Sequence, residues 1–170
     1  MSYTILRPVS FMENIADNMH GRGFARMWEQ MGPNEKLQLV STKDIGFFAA
    51  QSFLDPQGPR WKNQAISLAG DELSQVQADK VWREVMDGSP MPMAPCLIES
   101  AVKYVLRDTV GDVFTWFETK GYGADVEECR GLSPGMQSFK DWVVENKEKW
   151  AQCFRLGYPT EFGIVLPIDL

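Results

Sequence analysis

Histidine is almost missing from this chain, and so is every cysteine pattern that marks a metal or disulfide site. His20 is the one histidine in 170 residues, so a multi-histidine metal centre is excluded and a histidine-based triad or dyad would have to use it. Nothing around His20 supports such chemistry. The three cysteines, Cys96, Cys129 and Cys153, are odd in number, widely spaced and without a C-x-x-C, which suggests neither a disulfide framework nor a zinc site and fits a reducing compartment. Runs of lysine and arginine are also absent, and the net charge is −6. Nucleic-acid phosphates and anionic membrane surfaces both select basic patches, so neither nucleic acid nor membrane is expected as the main partner. The chain lacks an uninterrupted apolar run long enough to cross a bilayer, and it lacks the basic start of a secretory signal. It reads as soluble and cytoplasmic, with the nucleus as a second option.

What is present is one domain's worth of ordinary globular sequence, 44% hydrophobic and 24% charged. Thr4, Ile5 and Leu6 form a near-continuous apolar run of strand formers, as in a parallel strand buried on both faces, and Pro8 denies the ladder a further donor. A strand ending at about Arg7 is expected. In an open α/β sheet, ligands bind beyond the carboxyl ends of the strands, so the loop from Pro8 to Asn14 would line the site. The bland alternative is a buried strand and its turn.

Gly21-Arg22-Gly23 does not follow a strand and has no third glycine at the required spacing, so it reads as a loop and not as a phosphate cradle. Phe24, Met27, Trp28 and Met31 recur at helical spacing, which predicts a short helix over Gly23 to Met31. Leu37 to Val40 reads as a short strand. Further helices are expected at Asp44 to Leu54, with Ile45, Phe48, Ala49 and Phe53 on one face, and at Ser74 to Met86, Leu97 to Arg107 and Phe139 to Lys149. Asp44 suits a helix N-terminus and is read as a cap; Ser74-x-x-Gln77 has the form of a capping box. Ala65 to Ala69 is the second good strand, with Gly70-Asp71 turning out of it into the next helix. Val113, Phe114, Trp116 and Phe117 form a short aromatic helix closed by Gly121. Cys96 stands at a helix start but has no nearby His or Lys, so an inert thiol is favoured. The adjacent carboxylates Asp71-Glu72 and Glu127-Glu128 are assigned no chemistry. Residues 1–152 form the body, and 153–170 an atypical tail with two prolines and no helical period.

Thr4-Ile5-Leu6-Arg7-Pro8-Val9-Ser10-Phe11-Met12-Glu13-Asn14 resembles a late strand and its following loop in NmrA-like proteins, relatives of the short-chain dehydrogenase/reductase superfamily. Three further stretches are similar in the same order: Val40 to Gly46, Ala65 to Leu73, and Phe114 to Phe117 with Gly121 to Val126. The resemblance covers Tyr3 to about Gln152 and matches only the C-terminal half of such a protein. It implies an α/β fold: a partial Rossmann-like remnant of a doubly wound parallel sheet, followed by a mostly helical substrate-domain part.

The resemblance also implies a cofactor, NADP or NAD, with Pro8, Val9, Ser10 and Phe11 at its nicotinamide end and Met12, Asn14 and Trp28 on the substrate side. NmrA-like proteins carry a glycine-rich phosphate-binding turn near their own N-terminus, and the superfamily's Tyr and Lys acid-base pair would also precede Tyr3. No catalytic residue is assigned, and the expectation is a truncated form that binds the dinucleotide weakly or not at all. The parent would be an NAD(P)H-dependent oxidoreductase or a non-enzymatic redox sensor that contacts a regulatory protein.

Overall fold

The computed structural model describes residues 2–95, 116–117 and 119–156. The helix expected over Leu97 to Arg107, Cys96, the Val113-Phe114 start of the aromatic segment and the tail beyond Leu156 lie outside the described residues. In chain order the elements are β1 (Thr4–Pro8), β2 (Ser10–Phe11), a 3-10 turn at Met12–Asn14, α1 (Met19–Gln30), β3 (Lys36–Val40) and α2 (Thr42–Leu54). These are followed by β4 (Gln64–Leu68), β5 (Asp71–Ser74), α3 (Gln75–Val85), α4 (Val126–Leu132), α5 (Phe139–Glu145) and α6 (Lys147–Leu156).

The two best strands of the sequence do share a sheet. β1 pairs with β4 in parallel, Thr4 opposite Gln64 through Pro8 opposite Leu68. The ladder therefore runs one residue past Arg7, because Pro8 loses only its donor and keeps its carbonyl. A second sheet has the order β2-β3-β5, with β2 parallel and β5 antiparallel to β3. The result is a mixed α/β fold with short parallel pairs.

β5 corrects the expectation that Gly70-Asp71 leads straight into a helix. Asp71 to Ser74 first pairs with Leu39 to Lys36, and the helix starts only at Gln75. The reason is local: Ser74 has extended backbone and caps the helix, its Oγ accepting from Gln77 N at 3.4 Å while Gln77 Oε1 accepts from Ser74 N at 2.9 Å. The capping box itself is as expected.

α1 is a second correction. It begins four residues before Gly23, with Asn18 as N-cap, its side chain accepting from Gly21 N at 2.8 Å. The stretch read as a glycine loop is the first turn of the helix. Gly21 is there for packing: a Cβ on it would sit 2.4 Å from the Ala16 backbone. The expected helix over Phe139 to Lys149 breaks into α5 and α6 at Asn146, whose Nδ2 donates to Trp142 O at 2.9 Å. α6 runs through the position expected to divide body from tail.

Two apolar clusters hold these elements. One joins α1, α3, α5 and α6 through Trp28, Trp82, Phe139, Trp142, Val143 and Trp150, with Met12 and Ile15 reaching in from the turn after β2. Trp82 and Trp150 meet edge to face at 5.0 Å, and each such ring contributes about 2–3 kcal/mol by burial. The other cluster lies at the strand ends: Val9, Val40, Leu68, Ala69, Phe48, Trp61 and Cys129. The face expected for α2 is only partly right, since Phe48 is buried but Phe53 is 81% exposed.

Candidate functional site

The segment from Pro8 to Asn14 lies where β1 leaves one sheet for the other. Val9 N donates to Leu68 O at 3.1 Å, the last bond to the first sheet. One residue later Ser10 pairs with Leu39 and Phe11 with Val40. Leu39 is the common anchor: Ser10 lies on one side of it, Asp71 on the other, and its carbonyl accepts from Gly70 N at 2.7 Å. The carboxyl ends of β1, β2, β3 and β4 are thus gathered with Glu13, Ser41, Thr42, Gly70 and Asp71, the location at which α/β sheets hold ligands.

Three carboxylates at this edge are already engaged in holding the chain together. Glu13 accepts from Thr42 N at 3.1 Å, from Thr42 Oγ1 at 2.9 Å and from Trp142 Nε1 at 3.3 Å. Asp44 corrects its reading as the cap: Ser41 is the N-cap of α2, its Oγ accepting from Asp44 N at 3.1 Å, while the Asp44 carboxylate accepts from Ser41 Oγ at 2.7 Å and from Gln137 N at 3.1 Å and so has a structural role in tying α2 to the segment before α5. Asp71 accepts from Phe139 N at 2.8 Å. Glu13 therefore occupies the N-terminus of α2, and Asp71 that of α5. Gly70 lets the strand ends close on this region, since a Cβ there would lie 2.5 Å from Gln137 O.

Val9 is 2% exposed within the strand-end cluster, so only its backbone borders the edge and its side chain acts on stability. Ser10 is buried and Pro8 half-buried. Met12 and Trp28 are wholly buried in the helical cluster and present no surface to solvent. Phe11, exposed at the end of β2, and Asn14, half-buried two residues after Met12, are with Pro8 the accessible ones. The sequence did not single out Glu13 or Gly70 for this edge, because their partners Thr42 and Gln137 become neighbours only in the folded chain.

No protein-family model and no curated protein sequence matches this chain. Solved structures do. A structure described as NmrA, a negative transcriptional regulator, in complex with NADP aligns with a TM-score of 0.54 at 17% identity, covering 88% of this chain and 54% of that one. A mutant form of NmrA and NmrA in complex with NAD align with the same TM-score, identity and coverage. The fold is NmrA-like. The chain spans about half the length of the NmrA structures it matches.

The residues at the NmrA-like edge suit one part of a nicotinamide dinucleotide and not another. A carboxamide ring needs an apolar face and polar groups at close range, and Phe11 with the strand-end backbone offers these. A pyrophosphate needs uncapped backbone N–H groups, and those of α2 and α5 are taken by Glu13 and Asp71. Gly21 and Gly23 lie inside α1. Among the described residues no group of His, Cys, Asp and Glu could hold a metal ion, and no helix is long and apolar enough to cross a membrane.

Proposed function

We propose that this chain is an NmrA-like NAD(P)-binding protein in which Pro8, Val9, Ser10 and Phe11 border the nicotinamide end of the dinucleotide and Asn14 faces the substrate side. Met12 and Trp28 act behind that surface by fixing the turn after β2. The observation that carries this reading is the crossing of β1 into β2 at Val9, at the carboxyl ends of parallel strands, in a fold shared with NmrA structures that hold NADP and NAD. The whole protein is then an NAD(P)H-dependent oxidoreductase of cytoplasmic location, with acid-base groups supplied from outside the described residues.

A second reading, a non-enzymatic redox sensor that binds a regulatory protein, is favoured by one feature. Glu13, the carboxylate of the loop from Pro8 to Asn14, is committed to Thr42 and Trp142 in holding the fold.

Calorimetric titration with NADPH and NADP tests the binding claim. A low-micromolar Kd requires roughly −7 to −8 kcal/mol, which contacts to one end of the ligand do not supply after the entropy of association. A Kd of about 100 μM or weaker, weakened further in Phe11→Ala, is expected. Low-micromolar binding, or binding indifferent to Phe11→Ala, would contradict the placement. Hydride transfer from NADPH to small carbonyl or quinone acceptors separates the oxidoreductase from the sensor.

A further inference from the structure

Helix α2 carries an apolar face toward solvent. Phe47, Phe53 and Leu54 are 44%, 81% and 78% exposed; Gly46 and Ala50 lie exposed between them, and none of the five is charged. At about 100° per residue these positions fill one arc centred on Ala50, with Gly46 and Phe53 to one side and Phe47 and Leu54 to the other.

That arc is complementary to itself. When a second α2 is laid antiparallel on the first by a two-fold axis through Ala50, Gly46 of each copy faces Phe53 of the other, and Phe47 faces Leu54. The Phe53 ring then meets a residue without a side chain, and Phe47 and Leu54 stack apolar on apolar beside it. A Cβ built on Gly46 would meet nothing within 4 Å, so the space over that residue is open to a phenyl ring. The Phe47 ring is held ready, edge-on to buried Phe48 at 5.8 Å and 88°. An isologous contact of this kind closes after two copies and does not propagate, and antiparallel helices oppose their dipoles favourably.

We propose that two copies of this chain associate through α2, with Ala50 on the two-fold axis. At ~200 Å² for an aromatic side chain, the exposed parts of Phe47, Phe53 and Leu54 leave roughly 400 Å² of apolar surface per copy. Pairing buries roughly twice that, below the size of standard stable interfaces and suited to a weak, concentration-dependent dimer.

Sedimentation velocity of the full chain from micromolar to near-millimolar concentration is the test, with unfolding curves of each variant as a control. A reversible monomer–dimer equilibrium is expected. Ala50→Glu, which brings two carboxylates together on the axis, should raise the dissociation constant at least about tenfold without changing the melt, because Ala50 is exposed. Ala50→Cys should give a disulfide-linked dimer under mild oxidation far faster than the unsubstituted chain, as residues on a two-fold axis are within bonding distance. A chain monomeric throughout, or a dimer that survives Ala50→Glu and fails to cross-link in Ala50→Cys, overturns the proposal.

Discussion

Gln38 and Ala124 are joined by a reciprocal pair of hydrogen bonds: Gln38 Nε2 donates to Ala124 O at 2.7 Å, and Ala124 N donates to Gln38 Oε1 at 3.0 Å. A side-chain amide thus stands in for a strand residue and fastens the segment after Gly121 to β3. Both partners are buried. Gln38→Ala leaves the Ala124 N–H and C=O without partners, and a loss of about 2–3 kcal/mol in urea unfolding is expected. Gln38→Glu keeps the acceptor but removes the donor and sets a carboxylate beside Glu72, so its loss should shrink as acid protonates the new side chain.

Gly21 and Gly23 should respond to alanine with opposite signs although both lie in α1. Gly23 has open space around its Cα, so Gly23→Ala should stabilise by about 0.5–1 kcal/mol through helix propensity. Gly21→Ala drives a methyl into the Ala16 backbone at 2.4 Å and should destabilise by about 1–3 kcal/mol. Paired thermal melts decide it, and a loop at this position would give neither effect.

These glycines show where the sequence is legible and where it is not. β1 and β4 as separate strands, the helix after Ser74 and its capping box follow from residues a few positions apart, and so does the start of α2. The start of α1 does not, because glycine in a helix is disfavoured locally and the reason for Gly21 is contact with Ala16. β5 is four residues long, and its ladder depends on β3, more than thirty residues earlier. Of the site, the strand end at Pro8 to Phe11 could be read directly. That Met12 and Trp28 turn inward while Phe11 turns out depends on α3 and α5 closing over them.

Cys129 should be an inert thiol in the folded chain. Burial pushes its pKa up, with the charges of Glu128 and Asp125 acting in the same direction and a backbone hydrogen bond near Ala69 opposing them. Its Sγ donates to Ser67 O at 3.2 Å. A folded pKa above the unfolded one means that folding favours the protonated thiol. This contribution to stability is complete below the unfolded cysteine's value of about 8.5 and is lost as pH rises through the folded value. Alkylation mapped to Cys129 should be at least about tenfold slower in native protein than in urea at pH 8. Equal rates would show an open site.

The two-stranded β1–β4 sheet presents Ile5 at 44% exposure, with Tyr3 just before β1 at 56%. Parallel sheets are normally covered on both faces, and bare apolar strands invite association. Ile5→Lys should therefore raise the concentration at which the chain precipitates, with a change in stability within about 0.5 kcal/mol. Unchanged solubility would mean that this face is not the aggregating surface.

The placement of Phe11 beside the nicotinamide is tested most directly by saturation-transfer NMR on the chain with NADP in excess, a method that reads which protons of a weakly bound ligand touch the protein. Saturation should reach the nicotinamide ring protons more strongly than the adenine protons, and this preference should disappear in Phe11→Ala while the fold is retained. Stronger transfer to adenine, or a nicotinamide signal unchanged by Phe11→Ala, would contradict the proposed site.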